Sequence, residues 1–378
     1  MLAHFCHHVV TALTVPLLPF IRNDFTLDYT QSGLVISAFA LSYGFGQLPG
    51  GWLADRVGPR VMITMGISGV AVAGLLVGLS QTYMMMIVFL VLMGVAGGGY
   101  HPAAPPLVSK SVETKNQGRA LGFHLMGGSA SHFLTPLIGV AIATAWGWRG
   151  SYIGLSVPTI VFGIIFYGLL DQQETTRKKR RVANCDGEKV STPNHLRRLA
   201  VFMVLSTFTY AIIFSVIPFI PLFMVDELGV DEKTAAASLA FIYSAGFWAG
   251  PLGGYFSDRL GRVRVILGVC FVSGPVIYLL NLVPYGLGFG VVLILIGIIV
   301  TIRTPVSEAY IVAQSPKRHR STILGIYWFS GMEGAGMLTP VAGYLIDHFG
   351  FYPGFTMAGA ALVALTLVCS MWLWGSHG

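Results

Sequence analysis

Charge is what this sequence has least of. Only 10% of its 378 residues are Asp, Glu, Lys or Arg, whereas a soluble domain carries about 25%. A water-soluble chain of this length would form two or three domains, and so few charges cannot cover their surfaces. Metal-binding cysteine patterns are missing as well. Cys6, Cys185, Cys270 and Cys369 are scattered without CxxC spacing; three sit in apolar runs and read as small hydrophobes. No GxxxxGK[ST] occurs, so ATP hydrolysis by this chain is not expected. No nucleophile–base set or HExxH pattern stands out, so neither an enzyme nor a bound cofactor is expected. Met1 opens almost directly into an apolar stretch without a basic leader, and no cleavable signal is expected.

What is present is apolar surface. Hydrophobic residues make up 54% of the chain, aromatics 12%, and glycine occurs 47 times; the mean hydropathy is +0.72. A helix needs about 20 mostly apolar residues to cross the hydrocarbon core. Read at that length, spans end near Ile21, Ala54, Ser80, Val108, Thr144 and Leu170, and six more near Met224, Ser257, Val283, Ala313, Ile346 and Leu373. The expectation is an all-α polytopic membrane protein with 12 transmembrane helices in two pseudo-symmetric six-helix bundles, residues 1–171 and 199–378. A basic linker, residues 172–198, joins them.

The formal net charge of +7 raises the question of nucleic acid, and placement answers it. The linker holds Arg177-Lys178-Lys179-Arg180-Arg181 between two hydrophobic halves, where it faces anionic headgroups. With the linker inside, all but Arg22, Arg149, Lys233 and Arg303 of the 23 basic residues fall on the cytoplasmic side. This positive-inside asymmetry puts both termini in the cytoplasm, and no nucleic-acid partner is expected.

The halves repeat each other. Gly51-Trp52-Leu53-Ala54-Asp55-Arg56-Val57-Gly58 reappears 203 residues later as Gly254-Tyr255-Phe256-Ser257-Asp258-Arg259-Leu260-Gly261. Near that offset Pro16, Pro19 and Asp24 match Pro218, Pro221 and Asp226; Pro102 matches Pro305, Gly122 matches Gly325, and Leu134-Thr135-Pro136 matches Leu338-Thr339-Pro340. Markers spread along six helices indicate duplication of a whole half, the parallel repeat of one transporter architecture. The seventh span begins near Leu199, whose counterpart precedes Met1, so the first helix reads as short at its cytoplasmic end: either the true start lies upstream or the helix has lost a turn.

Gly51-x-x-x-Asp55-Arg56-x-Gly58-x-Arg60 closely resembles the signature loop between helices two and three of the major facilitator superfamily, and Gly254, Asp258, Arg259 and Gly261 repeat it. Gly58 permits a tight turn, and Asp55 can face the positive end of a neighbouring helix. The resemblance covers essentially the whole chain and implies that these loops gate alternating access. Helix five is similar to the superfamily's antiporter signature at Gly122, Pro136 and Gly139, with Ser131 and Thr135 in place of glycines. Leu90, Val91 and Leu92 stand where many drug–proton antiporters carry an arginine. Tyr100-His101-Pro102 with Gly127-Gly128 resembles the fosmidomycin-resistance branch of efflux carriers.

Ionisable residues inside spans cost about 2.5–3.5 kcal/mol each at a helix centre. Arg303 lies near the middle of span ten and Glu333 near the middle of span eleven, and they are expected to pair across an aqueous cavity. Glu308 is expected to pair with Arg259 or Arg262 beside the second loop. Histidines gather in the first half, with His7 and His8 in span one, His101 in span four, and His124 and His132 in span five. Imidazole titrates near physiological pH, which makes His8, His101, His124 and His132 candidates for the substrate and proton pathway. No two of these five histidines stand four residues apart, and no metal site is expected. The resulting expectation is a monomeric secondary transporter in the prokaryotic inner membrane. It moves a small organic solute by proton-coupled efflux, with Glu333 the leading proton carrier and His132 the next. A proton-coupled organic-anion transporter is the alternative, suggested by Arg303 and the histidines. A non-transporting sensor on the same fold is a third reading, against which both gating loops speak.

Overall fold

The computed structural model describes residues 1–111, 117–177, 193–315 and 320–374. Regular structure among these residues is helical throughout, as lipid demands, because a lone helix satisfies every backbone donor and acceptor within itself. The first half consists of α1 (Leu2–Thr11), α2 (Leu18–Phe25), α3 (Tyr29–Val57), α4 (Pro59–Thr64), α5 (Val70–Gly78), α6 (Tyr83–Gly97), α7 (Tyr100–Ser111) and α8 (Gln117–Arg177). The second consists of α9 (Pro193–Val216), α10 (Ile220–Asp226), α11 (Glu232–Ser244), α12 (Ala249–Leu260), α13 (Arg262–Leu279), α14 (Leu287–Gln314), α15 (Arg320–Phe349) and α16 (Phe351–Trp374).

These elements form the twelve expected spans once the breaks are assigned. The run α8 is two helices, separated where Trp146 leaves helical geometry and Gly147 takes φ +72°. The first span breaks between α1 and α2, around Pro16. The seventh breaks at the same place in the repeat, where a 3₁₀ turn over Ile217–Phe219 carries Pro218. Proline offers no N–H to the helix ladder and interrupts both copies. A single π turn, Met65–Gly69, links α4 to α5. Seven helical stretches among the described residues are long and apolar enough to cross a membrane by length and composition. One of these, Phe123–Leu170, holds two spans.

By contact the chain divides into two compact units. Unit 1 comprises Met1–Leu27, Leu34–Cys185 and Glu232–Ala240; unit 2 comprises Asp28–Gly33, Asp186–Asp231 and Phe241–Gly378. In unit 1, α1 packs on α8 and α5, and α4 packs on α7. Lipid gives no hydrophobic drive for helices to associate, so close packing must supply the attraction, and small residues permit it. A Cβ on Gly50 of α3 would lie 2.7 Å from the Cα of Gly99, and one on Gly98 would lie 2.7 Å from the Cα of Gly46. Cys6, Met62, Ile63, Ile67, Tyr100 and Ala103 form a core beneath.

In unit 2, α9 packs on α15 and α16, and α13 on α14 and α16. The α13–α16 crossing is tight enough that a Cβ on Gly359 would meet the Gly274 carbonyl oxygen at 2.8 Å. Phe202, Leu205, Ile266, Cys270, Tyr310 and Cys369 lie in the core of this unit. Asp347, near the end of α15, accepts from the backbone N–H groups of Tyr29 and Thr30 at 2.9 and 2.8 Å. It thereby satisfies donors that the first turn of a helix cannot pair internally.

Candidate functional site

Unit 2 contains a buried guanidinium. Arg303, on α14, is only 1% exposed. Its Nη1 donates to the Ser206 carbonyl at 3.2 Å, to Ser206 Oγ at 2.9 Å and to the Tyr327 hydroxyl at 2.7 Å. Its Nη2 donates to Thr304 Oγ1 at 3.3 Å, and the ring of Tyr210 lies 4.9 Å from the guanidinium carbon. Among the described residues no carboxylate lies within ion-pair distance, so the groups that hydrogen-bond to this cation or face it as a ring are all neutral, although Glu308 acts on it electrostatically from further off. Buried charges in proteins are ordinarily paired. Trp328 stands next to Tyr327 and Tyr210, with ring centroids 5.8 and 6.3 Å away.

The expected Arg303–Glu333 ion pair is not formed. Arg303 reaches Tyr327, and Glu333 lies six residues further along α15. Six residues advance the helix by about 9 Å and turn it to a different face. Glu333 is nonetheless buried, 5% exposed. Glu308 also departs from expectation, because it accepts from Trp328 Nε1 at 3.1 Å. Arg262 donates instead to the Ala309 carbonyl at 2.8 Å, and Arg259 lies over the Tyr255 ring at 4.6 Å. The carbonyl is presented by the adjoining helix α14 and the ring by the preceding turn of α12.

Unit 1 draws the histidines together, and adds one that the sequence reading passed over. His4 stands one turn before His8 on α1, so a four-residue spacing does exist. Its Nε2 lies 3.1 Å from the Nε2 of His8. The His4 ring stacks on His124 at 4.3 Å and lies 5.3 Å from His101. His8 in turn lies 5.4 Å from His101 and 4.7 Å from His132. His7 is different, because both its nitrogens are engaged, with the Gly66 carbonyl at 2.6 Å and the Tyr43 hydroxyl at 2.9 Å. It stacks on Tyr100 at 4.1 Å and serves the core.

The repeat relates the two sites. At the offset of 203 residues His7, Tyr100 and His124 correspond to Tyr210, Arg303 and Tyr327. Each set is arranged about its middle member: Tyr100 stacks on His7 at 4.1 Å and lies 6.2 Å from His124, as Arg303 lies by Tyr210 at 4.9 Å and Tyr327 at 2.7 Å. Ser206 and Ser307, 2.7 Å apart beside the guanidinium, correspond to Ala3 and Ala104. The hydroxyls accompany the charge.

The signature loops have matching backbones. Gly58 and Gly261, at equivalent positions, take φ +91° and +89°, a region that side-chain-bearing residues rarely enter. Arg56 lies over Trp52 at 4.0 Å, and Arg60 over Tyr167 at 3.7 Å. The side chains of Asp55 and Asp258, and the surroundings of Gly51 and Gly254, lie outside the described residues. So does most of the basic linker.

The family model described as Major Facilitator Superfamily matches residues 1–331 and again residues 202–378. The chain belongs to the Major Facilitator Superfamily. It is therefore a multi-pass integral membrane transporter and not an enzyme. Among its relatives is a probable sulfoacetate transporter of Cupriavidus necator, 27% identical over 94% of this chain and 87% of that protein. Another is a hexuronate transporter of Bacillus subtilis, 24% identical over 92% and 87%. The fold also superimposes on the crystal structure of a bacterial homologue of the human lysosomal transporter Spinster. That match has a TM-score of 0.80 and 18% identity, covering 99% of this chain and 94% of that one. It shows the superfamily fold, with two six-helix bundles in one chain.

Proposed function

We propose that this transporter moves a small organic anion, a carboxylate or sulfonate, by alternating access, with Arg303 as the residue that binds its charge. The observation that carries the reading is the buried guanidinium whose hydrogen-bond partners are all neutral. A carboxylate or sulfonate can take two parallel N–H···O bonds from such a fork, with Tyr210, Tyr327 and Trp328 beside it to hold the rest of a small solute. Sulfoacetate and hexuronate, named for two relatives, are anions of this kind. Of the two transport readings open to the sequence, the anion reading thus gains more support. Efflux of an amphipathic compound stands second, on the likeness carried by Tyr100-His101-Pro102 and Gly127-Gly128.

The proton gradient is the proposed driving force and Glu333 the proposed carrier, since it is a buried carboxylate at mid-helix in the same unit as Arg303. Residues 1–171 and 199–378 act as the two rocking bundles, the signature loops gate them, and the linker and both termini face the cytoplasm of a prokaryotic inner membrane. Proteoliposomes under an imposed pH gradient provide the test, with labelled sulfoacetate and hexuronate as solutes and lumenal pH followed in parallel. Gradient-dependent flux that is lost in Glu333→Gln is expected. Flux indifferent to the gradient, or undiminished in Glu333→Gln, removes Glu333 from the mechanism; failure of every anion to move removes the substrate class.

A further inference from the structure

The histidines of unit 1 form a cage to which the proposed anion site in unit 2 assigns no role. His4 and His8 are one helical turn apart on α1, which places them on one face, and His101 is the second residue of α7. One ring nitrogen from each lies within 4.8 Å of the other two. The closest pair, Nε2 of His4 and Nε2 of His8, is 3.1 Å apart. Two imidazoles bound to one tetrahedral zinc-like ion at 2.0–2.1 Å have their nitrogens about 3.3 Å apart. The observed spacing is therefore close to that of a ligand pair.

The surroundings set the tautomer. His4 Nδ1 is 2.9 Å from the His124 carbonyl, and a carbonyl only accepts, so Nδ1 carries the proton and Nε2 presents its lone pair towards His8. An outer hydrogen bond of this kind orients metal-bound histidines generally. His8 Nδ1 has a similar neighbour, Thr11 Oγ1 at 3.3 Å. His132 flanks the His8 ring at 4.7 Å and His124 stacks on His4 at 4.3 Å, so the cage is walled by further imidazoles. An all-imidazole set without carboxylates suits Zn²⁺, Ni²⁺ or Cu²⁺ and disfavours Mg²⁺ and Ca²⁺, which take oxygen ligands.

We propose that His4, His8 and His101 bind one divalent transition-metal ion within unit 1. The ion has three protein nitrogens and an open fourth position that water or a small anion fills. The repeat makes the site particular to this half, because His4, His8 and His101 correspond to Thr207, Ala211 and Thr304. A shared proton between His4 and His8 is the competing account of the short N···N distance.

The test is a competition titration of purified, detergent-solubilised full chain with Zn²⁺ against a chromophoric chelator. Mg²⁺ serves as the control ion, and Co²⁺ absorption reports geometry. One equivalent of Zn²⁺ should bind at micromolar or tighter free metal, no Mg²⁺ should compete, and Co²⁺ should give the visible band of a tetrahedral nitrogen site. Affinity should fall at least about 100-fold in His101→Ala and His4→Ala, and stay unchanged in Cys6→Ala and His348→Ala. His4 is deeply buried, so if His4→Ala fails to fold, monodisperse His101→Ala and the wild-type Co²⁺ spectrum decide. Sub-stoichiometric Zn²⁺, the absence of a tetrahedral Co²⁺ band, or wild-type affinity in folded His101→Ala overturns the site, and the first two would leave the shared proton as the explanation.

Discussion

Replacing Arg303 by glutamine separates two effects that a merely structural arginine would couple. The guanidinium donates four hydrogen bonds, to Ser206 twice, Tyr327 and Thr304. A bond to a charged group contributes about 1.5–3 kcal/mol, and losing one is costly when the acceptor is left buried and alone. Here the acceptors have one another. Ser206 Oγ lies 2.7 Å from Ser307 Oγ and 2.8 Å from the Tyr327 hydroxyl. Removing the cation also recovers a desolvation penalty of several kcal/mol, so Arg303→Gln should melt at or above the wild-type temperature. Anion binding should suffer instead. A lost charge-assisted pair of about 1.5–3 kcal/mol, at about 1.4 kcal/mol per tenfold, weakens affinity roughly ten- to a hundredfold. Arg303→Lys should recover part of this, since an ammonium keeps the charge without the planar fork. Thermal shift with and without sulfonates and carboxylates reads both quantities on one sample. Wild-type anion affinity in a well-folded Arg303→Gln protein would refute the assignment. A large drop in melting temperature would refute the account of its neighbours.

Asp55→Asn should strongly reduce proteoliposome transport with little loss of folded protein in the membrane, if the loop carboxylate has the proposed role of stabilising one conformational state at a helix end; wild-type rates would remove that role. Gly359→Leu should cost about 1–3 kcal/mol by overpacking the α13–α16 crossing, read as a lower melting temperature, and an unchanged melt would show that the crossing can open. His7→Phe removes the imidazole's hydrogen bonds to the Gly66 carbonyl and the Tyr43 hydroxyl, worth about 0.5–1.5 kcal/mol apiece. It should therefore lower thermal stability while leaving the one-to-one Zn²⁺ titration intact; loss of the metal with an unchanged melt would reverse the roles given to His7 and its neighbours.

The spans, the repeat and the signature loops were legible because each rests on local chemistry. An apolar run must cross lipid as a helix, and Gly58 and Gly261 meet the same turn with the same backbone. The partners of buried charges were not legible. Sequence places Arg303 and Glu333 near the middle of neighbouring spans, but the register and rotation of α15 that bring Tyr327 rather than Glu333 to the guanidinium emerge only from packing. The repeat held a usable hint, since serines flank Arg303 where alanines flank Tyr100. His4 was overlooked for a simpler reason. The first span was read from His7 and His8, which are adjacent and lie on different faces, while the four-residue partner of His8 sits almost at the start of the chain.

The correspondence of His7, Tyr100 and His124 with Tyr210, Arg303 and Tyr327 bears on how such a chain came to be. A homodimer of one ancestral half would carry two identical sites and evolve them in lockstep, since any substitution lands in both. Fusion into a single gene breaks that bond. One copy can acquire a guanidinium and the hydroxyls that accommodate it while the other accumulates imidazoles, and neither change is imposed on its twin. The same inherited scaffold position thus holds a hydroxyl-lined guanidinium in one half and a stack of aromatic and imidazole rings in the other.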